Sequence, residues 1–597
     1  MDGTGLWMNN YYYRCWRDVY CKGSQNSDIK YNISQFSKLK SIEVQSAFGN
    51  RCNISQNAIS NTKFGIHCNA NISTSTEIWE NSIITRRVHT DIGIRLNDAL
   101  FLSGWTSIHN NAVSTYGTYG IHVLNNNYGH VSSNYVRVLI PYLLSLQTPF
   151  YGIRNDNCFS DIISCNTVDG ISWGLSYNRN AITTSFSSIG QVSCNTTGNT
   201  QRGFQFLGSC DPTLFFGNHL FDHYDGLVLG KVGITSGEFG PQTIVANSNL
   251  PGNEYWGGDG AGTFGEYATL SINSNLLNYP FWTKSGIYHP SPNHLYGGNG
   301  YLISPSDQQN IDPFDCDANP PYCPPPPPIP ASALVVDTTE ASTPNREVMK
   351  MEHEKNLSTF LLLNSAYRDS SEELENFADS ISGTNAGGFA LVNYTVLSSD
   401  TDSLGYIPDS LKLHVAIASD LNEAIDPTTE YEGILRTINS IKLKSVGDGR
   451  FALTQEEVEA LLAVAYLCPF TFGPAVYDAR GLLTLINPAF NVDDEDVCEV
   501  ESEERRASPN LISQPSQQAY LFPNPASSEI NISLLHSEND NAVFEIYNFS
   551  GQSIIKGSVQ SKAKIRIDVS AIPSGIYYIR LIINGSLVLS TKFAIIK

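Results

Sequence analysis

The 597-residue sequence is short of charge: Asp, Glu, Lys and Arg together make up only 16% of it. Basic residues are the scarcer sign. With 36 Lys plus Arg against 58 Asp plus Glu, the net charge is −22, which excludes the cationic surface that nucleic acid or an anionic membrane would require. No stretch approaches the roughly 18 consecutive apolar residues of a membrane-spanning helix. No CxxC pair or Cys/His cluster is present, so no zinc site is expected, and neither a metal nor a cofactor. The opening MDGTGLWMNNYYYRCW lacks the basic stretch and apolar core of a signal peptide. Its Gly5-Leu6 step already reads as repeat sequence, so an export signal and earlier repeats are expected upstream.

What is present is Asn, Ser, Thr, Gly, Ile and Val. An apolar residue three places before an Asn, with a β-branched or apolar residue two after it, recurs around Asn57, Asn81, Asn111, Asn134, Asn166, Asn195 and Asn218. Each Asn is followed by a Gly-apolar step: Gly65-Ile66, Gly93-Ile94, Gly120-Ile121, Gly152-Ile153, Gly174-Leu175, Gly203-Phe204 and Gly226-Leu227. The Asn-to-Asn spacing runs from 23 to 32 residues, a period that marks a solenoid. Helical repeats would need a 3.6 period and good helix formers, whereas these residues favour strands and turns. The pattern predicts a right-handed parallel β-helix. Asn tolerates the left-handed backbone at a bend. Stacked about 4.8 Å apart, its amide can bond to the same amide one coil on. Gly is expected where the next strand opens on a tight turn.

The fold class expected is mainly β. Residues 1–235 form the solenoid, 236–310 a loop-rich cap over its last coil, and 311–345 (with CPPPPPIP) a stiff polyproline linker. From 346 to 500 the period becomes helical and predicts a small spacer domain. Thr454 and Glu457 form a capping box there, and Pro474 stands in the first turn of a further helix. Residues 501–518 are a polar linker. Residues 519–597 alternate in strands between turn signals and predict a small Ig-like β-sandwich. The twelve cysteines include short-range pairs that read as disulfides of an oxidising compartment. Cys316 with Cys323, and Cys468 with Cys498, are the candidates. Cys165 and Cys194 each precede a rung and should stack on adjacent coils, bridged or as buried thiols.

Phe522-Pro523-Asn524-Pro525-Ala526, Ile546-Tyr547 with Gly551, Ser574-Gly575-Ile576-Tyr577 and Lys592-Phe593 resemble the type A C-terminal sorting domain of the type IX secretion system. That resemblance covers nearly all of 520–597. It implies Sec export, passage across the outer membrane of a Bacteroidota-type bacterium, and removal of the tail with release or attachment to surface lipopolysaccharide. The type IX machinery is therefore the expected partner, and the location is extracellular or at the outer-membrane surface. Residues 50–235 resemble the right-handed β-helix superfamily that includes pectate lyases and polygalacturonases, a likeness of fold that leaves function open. The segment CPFTFGPAVYDARGLL…C is similar to a helical region found between β-helices and such tails.

A β-helix hydrolase needs converging carboxylates, and a lyase needs a base with a cation or Arg beside it. In-out alternation places His67, Arg95, His122, Arg154 and then Ser176 in one outward column, with Asn69, Asn97, Leu124, Asp156 and Asn178 two positions on. Only Asp156 is acidic, so a paired-carboxylate site is missing from this face, and no catalytic residue is assigned. The His67/Arg95/His122/Arg154 column with Asp156 suits a run of uronate or sulfate groups instead. The expected role is a non-catalytic adhesin, structural or glycan-binding surface, the alternative being a polysaccharide lyase or glycoside hydrolase acting on acidic polysaccharide. The GxGxxG match at Gly260–Gly265 lacks a βαβ setting. Asp222, His223 and Asp225 read as a corner.

Overall fold

The computed structural model describes residues 5–231 with short interruptions, strand segments between 237 and 303, most of 344–498, and most of 519–595. Two compact units result, Met1–Val500 and Glu501–Lys597.

The first unit is built on a parallel β-solenoid. Each coil contributes a strand to each of three sheets, of nine, ten and twelve strands in the order the chain visits them. In the first coil these are Gly5–Met8, Tyr11–Tyr13 and Arg17–Lys22. All pairings within these sheets are parallel, and equivalent apolar residues stack. Ile54 lies beside Ile78, Ile78 beside Ile108, and Ile108 beside Val131. The interior is a continuous column of Ile, Val, Leu and Phe with almost no exposure.

The asparagines form the expected ladder. Nδ2 of Asn81 donates to Asn111 Oδ1 at 2.9 Å and to the Ile54 carbonyl at 2.9 Å, and the same bonds recur from coil to coil. The ladder is longer than the seven rungs read from sequence. Asn10 and Asn32 precede them and Asn253 follows. The solenoid accordingly continues past residue 235. Glu254–Trp256 pairs with His219–Phe221, and Tyr267–Ser271 pairs with Asp225–Leu229.

Two of the expected roles change hands. The left-handed residue at the bend is not the rung but the residue before it: Tyr31, Gln56, Glu80, Asn110, Ser133, Cys165 and Cys194 all have φ between 52° and 59°. The rung is left free to turn its amide inward. Glycine after the bend answers to crowding rather than to a turn. A Cβ on Gly93 would stand 2.5 Å from the Gly120 carbonyl oxygen of the next coil and 2.5 Å from Val113 Cγ1. Where the chain offers no glycine it uses the next smallest residue. Ile153 pairs with Ile182, so Ala181 takes the place assigned to Gly174, and Thr183 and Ser185 take those assigned to Ser176 and Asn178. Residues 174, 176 and 178 lie outside the described residues, as do Cys316, Cys323 and Gly260–Gly265.

The helical region does not stand apart from the solenoid. Helices Pro344–Leu363, Asn385–Leu397, Asp409–Ala424 and Glu430–Gly447 share one core with Gln455–Ala465 and Ala475–Leu483, centred on Phe389, Ala418, Ile438, Leu461 and Leu482. The capping box at Thr454 and Glu457 is formed, and Pro474 caps Ala475–Leu483. This layer lies on the outer face of the twelve-stranded sheet. There Leu124, Phe186 and Leu207 of the solenoid pack with Met349, Phe470, Tyr477 and Cys498. A disulfide joins Cys468 to Cys498, and Cys165 and Cys194 are also disulfide-bonded.

The second unit has two antiparallel sheets, of three and four strands. They share a core of Ile530, Ile532, Phe544, Ile546, Ile579 and Leu581.

Candidate functional site: a polar column beneath the helical layer

Register brings the sequence-predicted residues together. His67 pairs with Arg95, Arg95 with His122, and His122 with Arg154. The column is real, but it is not open. His67 is 0% exposed, Arg95 2%, His122 3%, Arg154 3% and Asp156 2%, and the helical layer supplies the cover.

Burial is bearable at Arg154 because its charge is paired, whereas Arg95 has no carboxylate partner among the described residues and its buried Nε meets no acceptor there. The Arg154 Nε donates to both Asp156 oxygens, at 3.0 and 2.8 Å, and its guanidinium lies 4.5 Å over the Tyr151 ring. Its far nitrogen reaches Asp494 of the helical layer. Arg480 grips the other oxygen of that carboxylate, and the Tyr477 hydroxyl donates to it at 2.9 Å. Two guanidinium groups and a phenol thus enclose Asp494, from opposite sides of the junction. His122 Nε2 is 2.9 Å from Asp156, and its ring stacks on Tyr119 at 4.3 Å. Further down the column, Arg95 Nη1 donates to the Phe490 carbonyl at 3.2 Å. Lys40 Nζ donates to His67 Nδ1 at 2.6 Å and pairs with Glu43 at 2.8 Å.

The environment halves the expected cationic character. Burial, with Lys40 and Arg95 close by, holds the His67 imidazole well below its usual range. Burial brings His122 down to about 4 despite its bond to Asp156. Both histidines are therefore neutral near pH 7. Burial alone would raise the Asp156 carboxyl, but Arg154 and His122 bring it down to about 2. Burial lowers Lys40 to about 8.

The amides of the second outward column, Asn69 and Asn97, and Asn125 and Asn157 one residue beyond it in the next two coils, also face the helical layer. Asn97 Nδ2 donates to Asn69 Oδ1 at 2.8 Å, to the Gly481 carbonyl at 3.1 Å and to Thr484 Oγ1 at 2.8 Å. Thr484 Oγ1 in turn donates to Asn69 Oδ1 at 3.1 Å. Asn125 Nδ2 donates to the Tyr477 carbonyl at 3.0 Å, and Asn157 to Asp478 at 3.3 Å. Asn69, Asn97, Asn125 and Asn157 form a second amide ladder that the sequence reading missed. Asp494, Arg480, Tyr477 and Lys40 were missed as well. The only local hint was an acidic run just before Cys498.

His223 is a corner residue. Its ring is buried between Thr197 Oγ1 at 3.0 Å and Thr200 Oγ1 at 2.9 Å, and burial lowers it to about 4. Among the described residues no group of three His, Cys, Asp or Glu is placed to hold a metal ion, and no helix is long and apolar enough to cross a membrane.

The first unit is thus a parallel β-solenoid bearing a docked helical layer, a class defined by fold. Residues 520–597 match the secretion system C-terminal sorting domain family. A chain with this tail is a substrate of the type IX secretion system and is secreted or brought to the cell surface. No curated protein matches the sequence.

Proposed function

We propose that the protein is a non-catalytic surface solenoid, exported by the type IX route and displaying a glycan-binding face. In this reading the His67/Arg95/His122/Arg154/Asp156 column serves as the dock for the helical layer, and Asp494 occupies the place in which an acidic sugar was expected. One observation carries this. Every residue of the column is closed off, with Arg154 paired to Asp494 and Arg95 donating to the Phe490 carbonyl. An Ig-like sandwich for the tail, and a mature form that is either released or attached to the cell surface, belong to the same set of expectations.

Two experiments test it. Residues 501–597 fused behind an exported fluorescent protein should carry that protein to the surface of a type IX host, and removing Lys592–Lys597 should leave it in the periplasm. Periplasmic retention of the intact fusion would overturn the export reading. Full-length protein incubated with pectate, alginate and sulfated glycans should produce neither unsaturated uronates nor new reducing ends. Turnover of any of them would install the lyase or hydrolase alternative.

A further inference from the structure

The helical layer covers the twelve-stranded sheet, but the outer face of the ten-stranded sheet carries a concentration of exposed aromatic surface on its first two coils. Tyr11 is 62% exposed, Tyr13 48%, Tyr31 47%, Phe36 45% and Ile33 44%. Tyr11 and Ile33 are paired neighbours, with Tyr13 beside Gln35. Tyr12 packs on the core, so Tyr11 and Tyr13, with Ile33 beside Tyr11, point out of the sheet, where a further coil stacked on the first would flank them without covering them. Monomeric surfaces seldom leave such a patch without a use.

A second observation is independent of exposure. Tyr31 and Phe36 stand at the two corners flanking the strand Ile33–Gln35, each with φ 59°. Bulky side chains avoid this left-handed region, which Asn, Asp and Gly occupy readily. The next coil puts Gln56 and Asn61 at the equivalent corners. The solenoid imposes this conformation at the first corner coil after coil, on Gln56, Glu80, Ser133 and Cys165 as on Tyr31, so what is particular here is the choice of bulky aromatics at both corners of one strand.

The rings are held in place. Tyr13 and Phe36 meet edge to face at 5.6 Å, Arg14 lies 5.2 Å over the Tyr13 ring, and the Tyr11 hydroxyl donates to Gln35 at 3.0 Å. The rim is basic: Arg14 and Lys38 at one corner and Lys30 at the other, the last 3.6 Å from Asp28. No carboxylate stands on the outward columns of the first three coils, which read Tyr11, Ile33, Ala58 and Tyr13, Gln35, Ser60. In a chain of net charge −22 this is a local inversion.

We propose that Tyr11, Tyr13, Tyr31, Ile33 and Phe36, ringed by Arg14, Lys30 and Lys38, form a platform for an acidic polysaccharide. A sugar ring lays its C–H face on an aromatic ring while its hydroxyls stay hydrated at the edge, and Tyr keeps a polar tip there. The cations attract its carboxylates or sulfates. A two-fold contact with a second copy is disfavoured, since it would set the three basic side chains against themselves. The proposal rests on the glycan-binding reading and locates its site.

The test uses the full chain, with polygalacturonate and a sulfated polysaccharide as separate probes in affinity electrophoresis and calorimetry. The unaltered protein should bind at least one, more weakly as salt rises. Tyr11→Ala/Tyr13→Ala should weaken binding about tenfold or more, and Arg14→Gln/Lys38→Gln should reduce its salt dependence. Tyr31→Asn and Phe36→Asn separate binding from folding. Asn suits the left-handed corner, so these variants should melt at the same or higher temperature while losing affinity. Tyr135→Ala, an exposed aromatic elsewhere on the same sheet, should bind as the parent does. Undiminished binding by the platform variants would place the glycan elsewhere and overturn the platform alone. No binding to either polymer would overturn the glycan reading with it. Self-association abolished by Tyr11→Ala/Tyr13→Ala, without polymer binding, would identify a second copy as the occupant and overturn the proposal.

Discussion

Replacing Asp494 with Asn tests the dock at its centre. The carboxylate is 5% exposed and answers two guanidinium groups and one phenol. Asn keeps the shape and one acceptor oxygen, but it turns an N–H towards one of the cations. Removing one partner of a buried ion pair costs about 3–5 kcal/mol, mostly because the other charge is left uncompensated. Here both arginines keep other partners. Arg154 retains Asp156, and Arg480 donates to the Ala465 carbonyl at 2.8 Å. The cost should therefore fall near the lower bound, about 3 kcal/mol. Tyr477→Phe removes a single hydrogen bond to the same carboxylate and should cost about 1–2 kcal/mol.

Urea unfolding of Met1–Val500 within the full chain gives the magnitude, and hydrogen exchange gives the place. In Asp494→Asn, peptides from Ala475–Leu483 should exchange faster, while rung peptides around Asn111 and Asn134 keep their protection. A cycle with Arg154→Gln should show coupling: the double variant should lose less than the sum of the single losses by about 1–3 kcal/mol. A loss below about 0.5 kcal/mol for Asp494→Asn, or additive losses in the cycle, would refute the view that this carboxylate holds the helices to the solenoid.

Asn111→Leu strips a rung with neighbours on both sides and should cost about 1–3 kcal/mol in melting experiments. Asn69→Leu, which an open-face reading would make silent, should also destabilise, because Asn97 and Thr484 both donate to it. Reducing Cys468–Cys498, or replacing both by Ser, should cost about 3.5 kcal/mol on the chain-entropy model, read as a lowered denaturation midpoint. Acid acts through opposed groups. His122 and His223, brought down to about 4 by burial, bind protons later than in the unfolded chain, so each removes up to about 3 kcal/mol as pH falls from 6.5 towards 4. Burial raises Asp91 and Asp161 to about 6; they bind protons earlier than when unfolded and offset that loss below pH 6. Asp161→Asn should therefore show a steeper fall in stability between pH 6 and 4 than the parent in pH-dependent melts.

The ladder was legible because its physics is local and repeats. The rung, the apolar residue three places earlier and the small residue after the bend are set by one coil's own geometry. Three outer rungs escaped, Asn253 among them although Leu250 and Tyr255 obey the rule around it, and the first two differ in their reasons. Asn32 is followed two places on by Ser34, which breaks the apolar rule, whereas Trp7, Asn10 and Tyr12 obey it and could have been recognised. Gly174 was misplaced because the rule demanded glycine where Ala181 is small enough. The site divides in the same way. Alternation found the column, since side-chain direction is local. The cover could not be found, because Arg154 and Asp494 are 340 residues apart and nothing in either neighbourhood refers to the other. The neutral histidines follow from the cover and were hidden with it.

The dock also has a register problem that its chemistry resolves. A solenoid face nearly repeats itself every 4.8 Å or so, and the amide ladder Asn69, Asn97, Asn125, Asn157 would offer similar bonds to a layer displaced by one coil. Apolar contacts alone would tolerate such a slip at modest cost. Buried ionic pairs do not, and fixing register is their best-attested use. Arg154 with Asp156 occurs in one coil, because the equivalent positions before it are Arg95 with Asn97 and His122 with Leu124, and after it Thr183 with Ser185. Only at that coil can Asp494 meet an arginine already oriented by a second carboxylate and an aromatic ring. In the proposed reading the charge expected to be an address for sugar serves as the address of the helical layer. On that reading a face so addressed is closed to other ligands, which leaves the outer faces of the nine- and ten-stranded sheets to meet whatever the exported protein encounters.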